Sequence, residues 1–358
     1  MLNRIQLRNF KCFKDRTDFP LNRVNLLTGI NGRGKSTLLQ SILLMCQSFE
    51  YCKDSSKLIF NGNLVQLGNF EDVKNRSSSI NEKIEFIFSL DASDWHYFFE
   101  ENEEDDMTAE IINSPTINSA FKRVHYVSAN RIGPQDFYPR QSTFEFPTVG
   151  TRGEYTANVL AVSKKKQQKV PDRLVLDSGA TKTVLDQTEA WIEKIFDGGS
   201  INVEPVDANI VILQMNSQDR KDSTEMFKPL NIGFGYSYAL PIIVSGLIAQ
   251  EGDILIVENP EAHLHPCAQS QIAKFLARVS CNGVQVFVES HSDHILNGLR
   301  VAVFDKIITA EDLNILYFQR EHNQQVIKIP VMENGEIRDW PPGFFDQMDK
   351  DFEKLFGV

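Results

Sequence analysis

The sequence predicts an α/β fold, a mainly parallel sheet flanked by helices, and three observations carry that prediction. A short apolar strand, Val24-Asn25-Leu26-Leu27, runs through a glycine-rich loop into a helix with apolar residues Leu38, Leu39, Ile42, Leu43, Met45 and Cys46. In the last third of the chain, apolar strands alternate with helical segments, the order that parallel strands joined by crossover helices produce. An apolar content of 42% with 25 Phe gives 358 residues the material for a large core.

Residues 1–28 alternate in the manner of strands, with Ile5 and Leu7 ahead of the 24–27 run. Residues 60–90 read as loop and strand, closing on KIEFIFSL. Residues 91–120 are polar and acidic and suggest no clear element, and EENEEDD (100–106) reads as a solvated loop. RVHYVSANRIGP (123–134) is a strand that ends in a turn. From 140 to 180 the chain is rich in Ser, Thr, Gly and Lys, with KKKQQK at 164–169, and is expected to be a mobile surface segment. An amphipathic helix is predicted over 182–197 and a β hairpin over 201–216. A Gly-rich turn at 231–237 opens a helix over 238–249. Strand 254–258, helix 266–279, strand 284–290, helix 292–303 and a strand near 313–318 follow. There is no internal repeat, and no heptad run is long enough for a coiled-coil arm.

Charge and cysteine usage narrow the function classes. A net charge of −11 argues against a broad nucleic-acid-binding surface, which is normally basic. Residues 1–23 nonetheless hold six Lys or Arg against two Asp, a local basic strip that leaves a DNA contact open. The five cysteines form no CxxC pair and read as thiols of a reducing, cytoplasmic protein. Regularly spaced charges in MLNRIQLRNFKCF argue against a signal peptide. No apolar run reaches the ~18 residues of a membrane span, so a soluble protein without a membrane role is expected.

The loop itself is Gly29-Ile30-Asn31-Gly32-Arg33-Gly34-Lys35-Ser36-Thr37, which fits G-x-x-x-x-G-K-[ST] at every fixed position. Its glycines permit backbone angles that aim successive N–H groups at phosphate oxygens, and the helix N-terminus adds its positive end. Lys35 is placed to reach the outer phosphates and Ser36 to ligate Mg²⁺, which predicts a nucleotide with Mg²⁺ as the ligand. Such a site needs a carboxylate on a neighbouring strand end, and Ile254-Leu255-Ile256-Val257 delivers Glu258. Strand VQVFVESHSDH (284–294) brings Ser290 and His291 toward the same edge, where open α/β sheets bind ligands. A histidine there can donate to a γ-phosphate oxygen.

These residues, together with FKCF, ENPEAHLHP and ESHSDHILNGLR, resemble the ABC ATPase head domain. More narrowly they resemble the SMC-like heads of the OLD (overcoming lysogenization defect) and RecF-like group. RDWPPGFFDQ is similar to a C-terminal segment of small bacterial ATPases of that group whose role is undefined. The match covers roughly residues 1–70 and 225–345. The resemblance implies an ABC-type P-loop NTPase head over 1–345 with an antiparallel β subdomain. Its N-lobe would span about 1–130, a variable insertion about 91–220 and a C-lobe about 225–320, with a C-terminal extension over 321–358. It also implies two heads closing head to tail on two ATP molecules, each phosphate loop facing the other subunit's signature. Gly233, Phe234, Gly235 and Ser237 of NIGFGYS fall at that signature, although Gly233 replaces the usual serine. Gln66 in LVQLGNF stands either as the glutamine that contacts Mg²⁺ and water or as a plain loop residue. Arg131 is either a phosphate or partner contact or a surface ion pair.

Heads of this kind usually read acid-Glu-Pro, whereas this chain reads Glu258-Asn259-Pro260. Asn259 cannot accept a proton but can orient water. Glu258 is therefore assigned to the metal, Asn259 to water, and Glu261 to the base or to a dimer contact, so turnover should be slow. The group's members imply a sensor or regulator in DNA transactions or anti-phage defence. No nuclease domain is expected after residue 345, which makes any nuclease a partner protein. Three rivals remain: the ATP-binding subunit of a membrane transporter, a nucleotide-binding scaffold that scarcely hydrolyses, and a metallonuclease. The last would use His263, His265, His291 and His294, four of the seven histidines, with Glu261 and Asp293. Their spacing fits no zinc pattern, and His263 and His265 read instead as the cap and lining of the turn before helix 266–279.

Overall fold

A computed structural model describes residues 1–52, 56–79, 81–90, 93–112, 121, 123–141, 146–176, 181–216, 225–319 and 325–357. Among these residues the strands form three sheets. The first six-stranded sheet contains β1 (Leu2–Arg8), β2 (Thr17–Pro20), β4 (Lys57–Ile59), β5 (Ile84–Leu90), β6 (Ser93–Glu101) and β7 (Thr108–Ile111), in the order β2-β1-β5-β6-β7-β4. Every pair in it is antiparallel. The central sheet contains β3 (Val24–Gly29), β8 (Val124–Val127), β12 (Ile254–Glu258), β13 (Gln285–Glu289), β14 (Leu313–Phe318) and β15 (Val326–Ile329), in the order β15-β14-β3-β13-β12-β8. Only β15 runs against its neighbour there. The third sheet joins β9 (Tyr138–Pro139), β10 (Ser200–Pro205) and β11 (Ile210–Asn216).

The central strands are apolar at nearly every position because both of their faces are covered. Leu26, Leu255, Val257, Val286 and Val288 belong to one core, which holds α3 (Thr156–Lys166), α4 (Val184–Phe196), α5 (Phe234–Ile248), α6 (Pro266–Ser280) and α7 (Asp293–Phe304). The alternate residues Leu27, Ile254, Ile256, Phe287 and Leu316 belong to a second core. That core contains α1 (Lys35–Tyr51), the inner face of the antiparallel sheet, and both core residues of the short α2 (Phe70–Val73). The period-two alternation of strand side chains thus divides one sheet between two cores.

Two stretches depart from the sequence reading. Residues 93–101 and 108–111 are strands, although they are polar overall. Tyr97, Phe99 and Ala109 point into the core while Asp94, His96 and Glu100 stay in solvent, so a few apolar residues suffice at an outer sheet face. The segment expected to be mobile contains α3, with Ala157, Leu160 and Ala161 buried. Its Lys164, Lys165 and Lys166 occupy the last turn, where cations complement the carbonyl end of a helix. The predicted 182–197 helix is α4, and the predicted hairpin is β10 with β11. The basic strip of residues 1–23 is largely neutralised in place. Arg4 pairs with Asp18, Arg8 and Arg16 with Glu85, and Arg23 with Asp312. Among the described residues no helix is long and apolar enough to cross a membrane. The last helix, α8 (Gln347–Phe356), buries none of its residues.

Candidate functional site

Residues 29–37 link the carboxyl end of β3 to the start of α1. Gly29 has φ of 118°, and a Cβ there would lie 2.2 Å from the Phe318 carbonyl oxygen, so the loop begins pressed against β14. Gly34 has φ of 107°, and its Cβ would lie 2.2 Å from Cζ of Phe13, an aromatic of the FKCF stretch. Gly32 also has positive φ but faces open space, which leaves backbone accessible at the middle of the loop. Asn31 and Gly32 are exposed, Arg33 is half-buried and Thr37 is buried. Lys35 is 3% exposed, and its Nζ donates to the Gly29 and Ile30 carbonyl oxygens at 3.0 Å each. Burial holds its pKa below the ordinary lysine value, against the pull of Glu289. A desolvated ammonium surrounded by loop carbonyls is a strong site for phosphate charge.

Beside the loop the strand ends align, with Glu258 opposite Glu289 and Glu289 opposite Leu27. The Ser36 hydroxyl donates to both oxygens of Glu289, at 3.1 and 3.0 Å. Ser36 and Glu258, both assigned to the metal, are not hydrogen-bonded to each other; the carboxylate that Ser36 meets is Glu289. Glu258 lies one strand further out, and its Oε2 accepts from the Ala129 amide at 3.0 Å. Glu289 is 8% exposed, and its pKa is pushed up to about 7, first by burial and then by Glu258, while Ser36 and Lys35 pull the other way. Sequence reasoning passed over Glu289. The signal was present, since IVENP and FVESH each end a buried strand in Val-Glu. Oxygen donors and crowded negative charge fit a hard divalent cation such as Mg²⁺.

The turn after β12 is tightly held. Asn259 has φ of 45°, and its amide donates to the Glu289 carbonyl at 2.8 Å. Glu261 accepts from the Ser290 hydroxyl at 2.8 Å and from the His291 amide at 3.0 Å, so it joins the ends of β12 and β13. The His291 side chain is exposed at this edge, its pKa lowered by partial desolvation and by Lys35. Arg131 is no surface ion pair. It is 3% exposed, and its guanidinium donates to the Glu258 and Asn259 carbonyls at 2.7 and 2.6 Å, with a third bond to Ser128. Burial lowers its pKa to about 10, which leaves it charged at neutral pH.

His263 and His265 serve packing and capping, while His294 lies 3.7 Å from Asp293 at the surface. His263 lies against the Tyr238 ring at 4.3 Å, and His265 Nδ1 accepts from the Cys267 amide to cap α6 ahead of Pro266. Among the described residues no group of three or more His, Cys, Asp or Glu side chains gathers into a metal cluster of the kind the metallonuclease reading needs. Gly233 caps α5 and faces open space, and Phe234 beside it is exposed. Gly235 abuts the His263 carbonyl, where a Cβ would lie 3.0 Å away. Ser237, expected to stand in for the signature serine, is buried, and its hydroxyl has no hydrogen-bond partner among the described residues. Gln66 is exposed between β4 and α2, with its backbone bridged to Asn61.

A sequence-family model described as "AAA domain, putative AbiEii toxin, Type IV TA system" matches residues 24–297. A second, described as "Protein of unknown function (DUF3696)", matches residues 308–355. No curated protein matches the chain. Among solved structures, an Smc head bound to the C-winged helix domain of ScpA aligns with a TM-score of 0.52 at 11% identity, covering 93% of this chain and 98% of that one. An Smc head with an extended coiled coil, bound to the C-terminal domain of ScpA derived from Pyrococcus furiosus, aligns with a TM-score of 0.52 at 11% identity, covering 99% of each chain. The fold is that of an SMC-like P-loop ATPase head.

Proposed function

The chain belongs to the AAA-domain family described as putative AbiEii toxin of Type IV TA systems, and from that premise we propose that it binds ATP with Mg²⁺, hydrolyses it slowly and closes with a second copy around the nucleotide. The observation that carries this reading is the desolvated Lys35 inside a phosphate loop whose flanking strand ends carry Glu258 and Glu289 in register. The loop amides and Lys35 bind the phosphates, while Ser36 and Glu258 serve the metal. Bound Mg²⁺ supplies charge neutralisation on the phosphate oxygens. His291 meets the γ-phosphate and Asn259 orients water. Glu261 is the base or a contact between the heads. Gly233, Phe234 and Gly235, exposed or half-buried at the start of α5, offer the partner's phosphates an accessible helix N-terminus. Gln66, exposed between β4 and α2, joins the metal's water shell in this reading.

The finer assignment is to the OLD-like group, as a cytoplasmic sensor or regulator in anti-phage defence or DNA transactions that works with an effector such as a nuclease. The family's toxin description favours a defence role, and the Smc heads solved with ScpA domains favour a protein partner. Direct DNA contact through residues 1–23 has little support, since four of the cations there are ion-paired. One observation favours a second reading, a nucleotide-held scaffold. Each oxygen of Glu261 accepts a hydrogen bond from the β13 turn, which ties the side chain to a structural role beside Asn259.

ATP turnover and particle size in ATP and Mg²⁺ test the proposal, on wild type, Lys35→Ala and Glu261→Gln. Wild type is expected to hydrolyse slowly and dimerise with ATP. Lys35→Ala should do neither, and Glu261→Gln should accumulate as an ATP-bound dimer. Wild-type levels of turnover in Glu261→Gln would remove the base assignment. Dimerisation without turnover in wild type would select the scaffold.

A further inference from the structure

We propose that Glu289 holds the divalent cation together with Ser36, so that the metal rests on the strand between the phosphate loop and Glu258. The inference rests on the ATP-binding reading and deepens it. Three observations meet at this carboxylate. Both of its oxygens accept from the Ser36 hydroxyl, which makes it the acid nearest the residue assigned to the metal. It ends β13, the strand hydrogen-bonded directly to β3, whereas Glu258 ends β12, one strand further away. Finally, it is buried and adjacent in register to Glu258, with Lys35 as the cation facing it.

Two carboxylates on neighbouring strand ends repel each other, and burial removes the water that would screen them. Lys35 cannot neutralise both while it also binds phosphate. A divalent cation held by Ser36 and Glu289 would offset the buried acid's charge and leave Lys35 to the nucleotide. Glu258, bonded to the Ala129 amide, then serves the metal indirectly, by positioning Glu289 from the neighbouring strand end.

Binding of a fluorescent ATP analogue, titrated with Mg²⁺ from a metal-free start, separates the metal from the nucleotide. Wild type, Glu289→Gln, Glu289→Asp, Glu258→Gln and Lys35→Ala are compared. Glu289→Gln is expected to bind metal-free nucleotide at least as well as wild type, because a negative charge near the phosphates is gone. Its Mg²⁺ midpoint should rise roughly 10- to 100-fold, the usual effect of weakening a metal's protein ligands. Glu289→Asp should fall between the two, and it keeps the test alive if the amide variant fails to fold. Mn²⁺ bound with a non-hydrolysable ATP analogue, counted by its paramagnetic signal, should drop in parallel. An unchanged Mg²⁺ midpoint in Glu289→Gln overturns the proposal, whether turnover is kept or lost. So does a loss of metal-free nucleotide binding, which would make Glu289 a structural partner of Ser36. Failure of the ATP reading looks different: wild type would not bind the analogue, or Lys35→Ala would bind it equally well.

Discussion

Arg131 shows how a single side chain can hold a turn together. Its guanidinium reaches two consecutive carbonyls, of Glu258 and Asn259, at the point where the backbone enters positive φ at Asn259. The guanidinium thus completes the hydrogen bonding of two carbonyls in a half-buried turn, the Asn259 oxygen also accepting from the Ala262 amide at 3.1 Å. Arg131→Met is expected to cost roughly 2–4 kcal/mol in chemical unfolding, through lost charge-assisted hydrogen bonds and unsatisfied acceptors. Arg131→Lys should not rescue it, because one ammonium cannot reproduce the planar fork that spans both carbonyls. A lysine variant as stable as wild type would refute this account. In the sequence, SANRIGP marks only a strand end. That Arg131 is buried depends on Tyr238, whose ring lies 5.6 Å from the guanidinium, and on the turn after β12, both more than a hundred residues away.

Among the elements, the phosphate loop and α8 are opposite cases. The loop is fixed by contacts on both sides, so Gly29→Ala combines a strained φ with a clash against β14 backbone. A loss of roughly 2–4 kcal/mol is expected, measured by denaturant titration, since strained backbone and overpacking each cost about 1–3 kcal/mol. In contrast, α8 buries nothing, and its Met348, Phe352, Leu355 and Phe356 are exposed. A chain ending at Asp346 should unfold within about 0.5 kcal/mol of wild type. A large drop would mean that α8 packs on the body in solution. The contrast between strands β6 and β7 and their acidic sequence belongs to this scale as well. Only three of their side chains are buried, too few to show as a pattern in a 30-residue window.

At the scale of the molecule, one sheet separates two cores, and the strands contribute alternate residues to each. Phe275 packs edge-on against Trp191 at 4.8 Å in the first core, and Phe88 against Phe121 at 5.0 Å in the second. Either Phe→Ala substitution should cost about 3–5 kcal/mol, as large cavities in well-packed cores do. The two share no partner, so the double variant should show the sum to within about 0.5 kcal/mol. A clear excess or deficit would reveal that the central sheet transmits strain between the cores. The net charge of −11 sits on the same body, and four of the six basic residues in 1–23 are engaged in ion pairs.

The sequence by itself determined the local features: the phosphate loop, the alternation of strands and helices, and the cap of α6. Each depends on neighbours within a few residues, where glycine, proline and apolar spacing act directly. Only the tertiary structure decided that Ser36 meets Glu289 rather than Glu258, and that Arg131 and Ser237 are buried. Those outcomes depend on strand order and on the direction each side chain takes from its strand or helix. In a parallel sheet, that order brings together residues 253 positions apart.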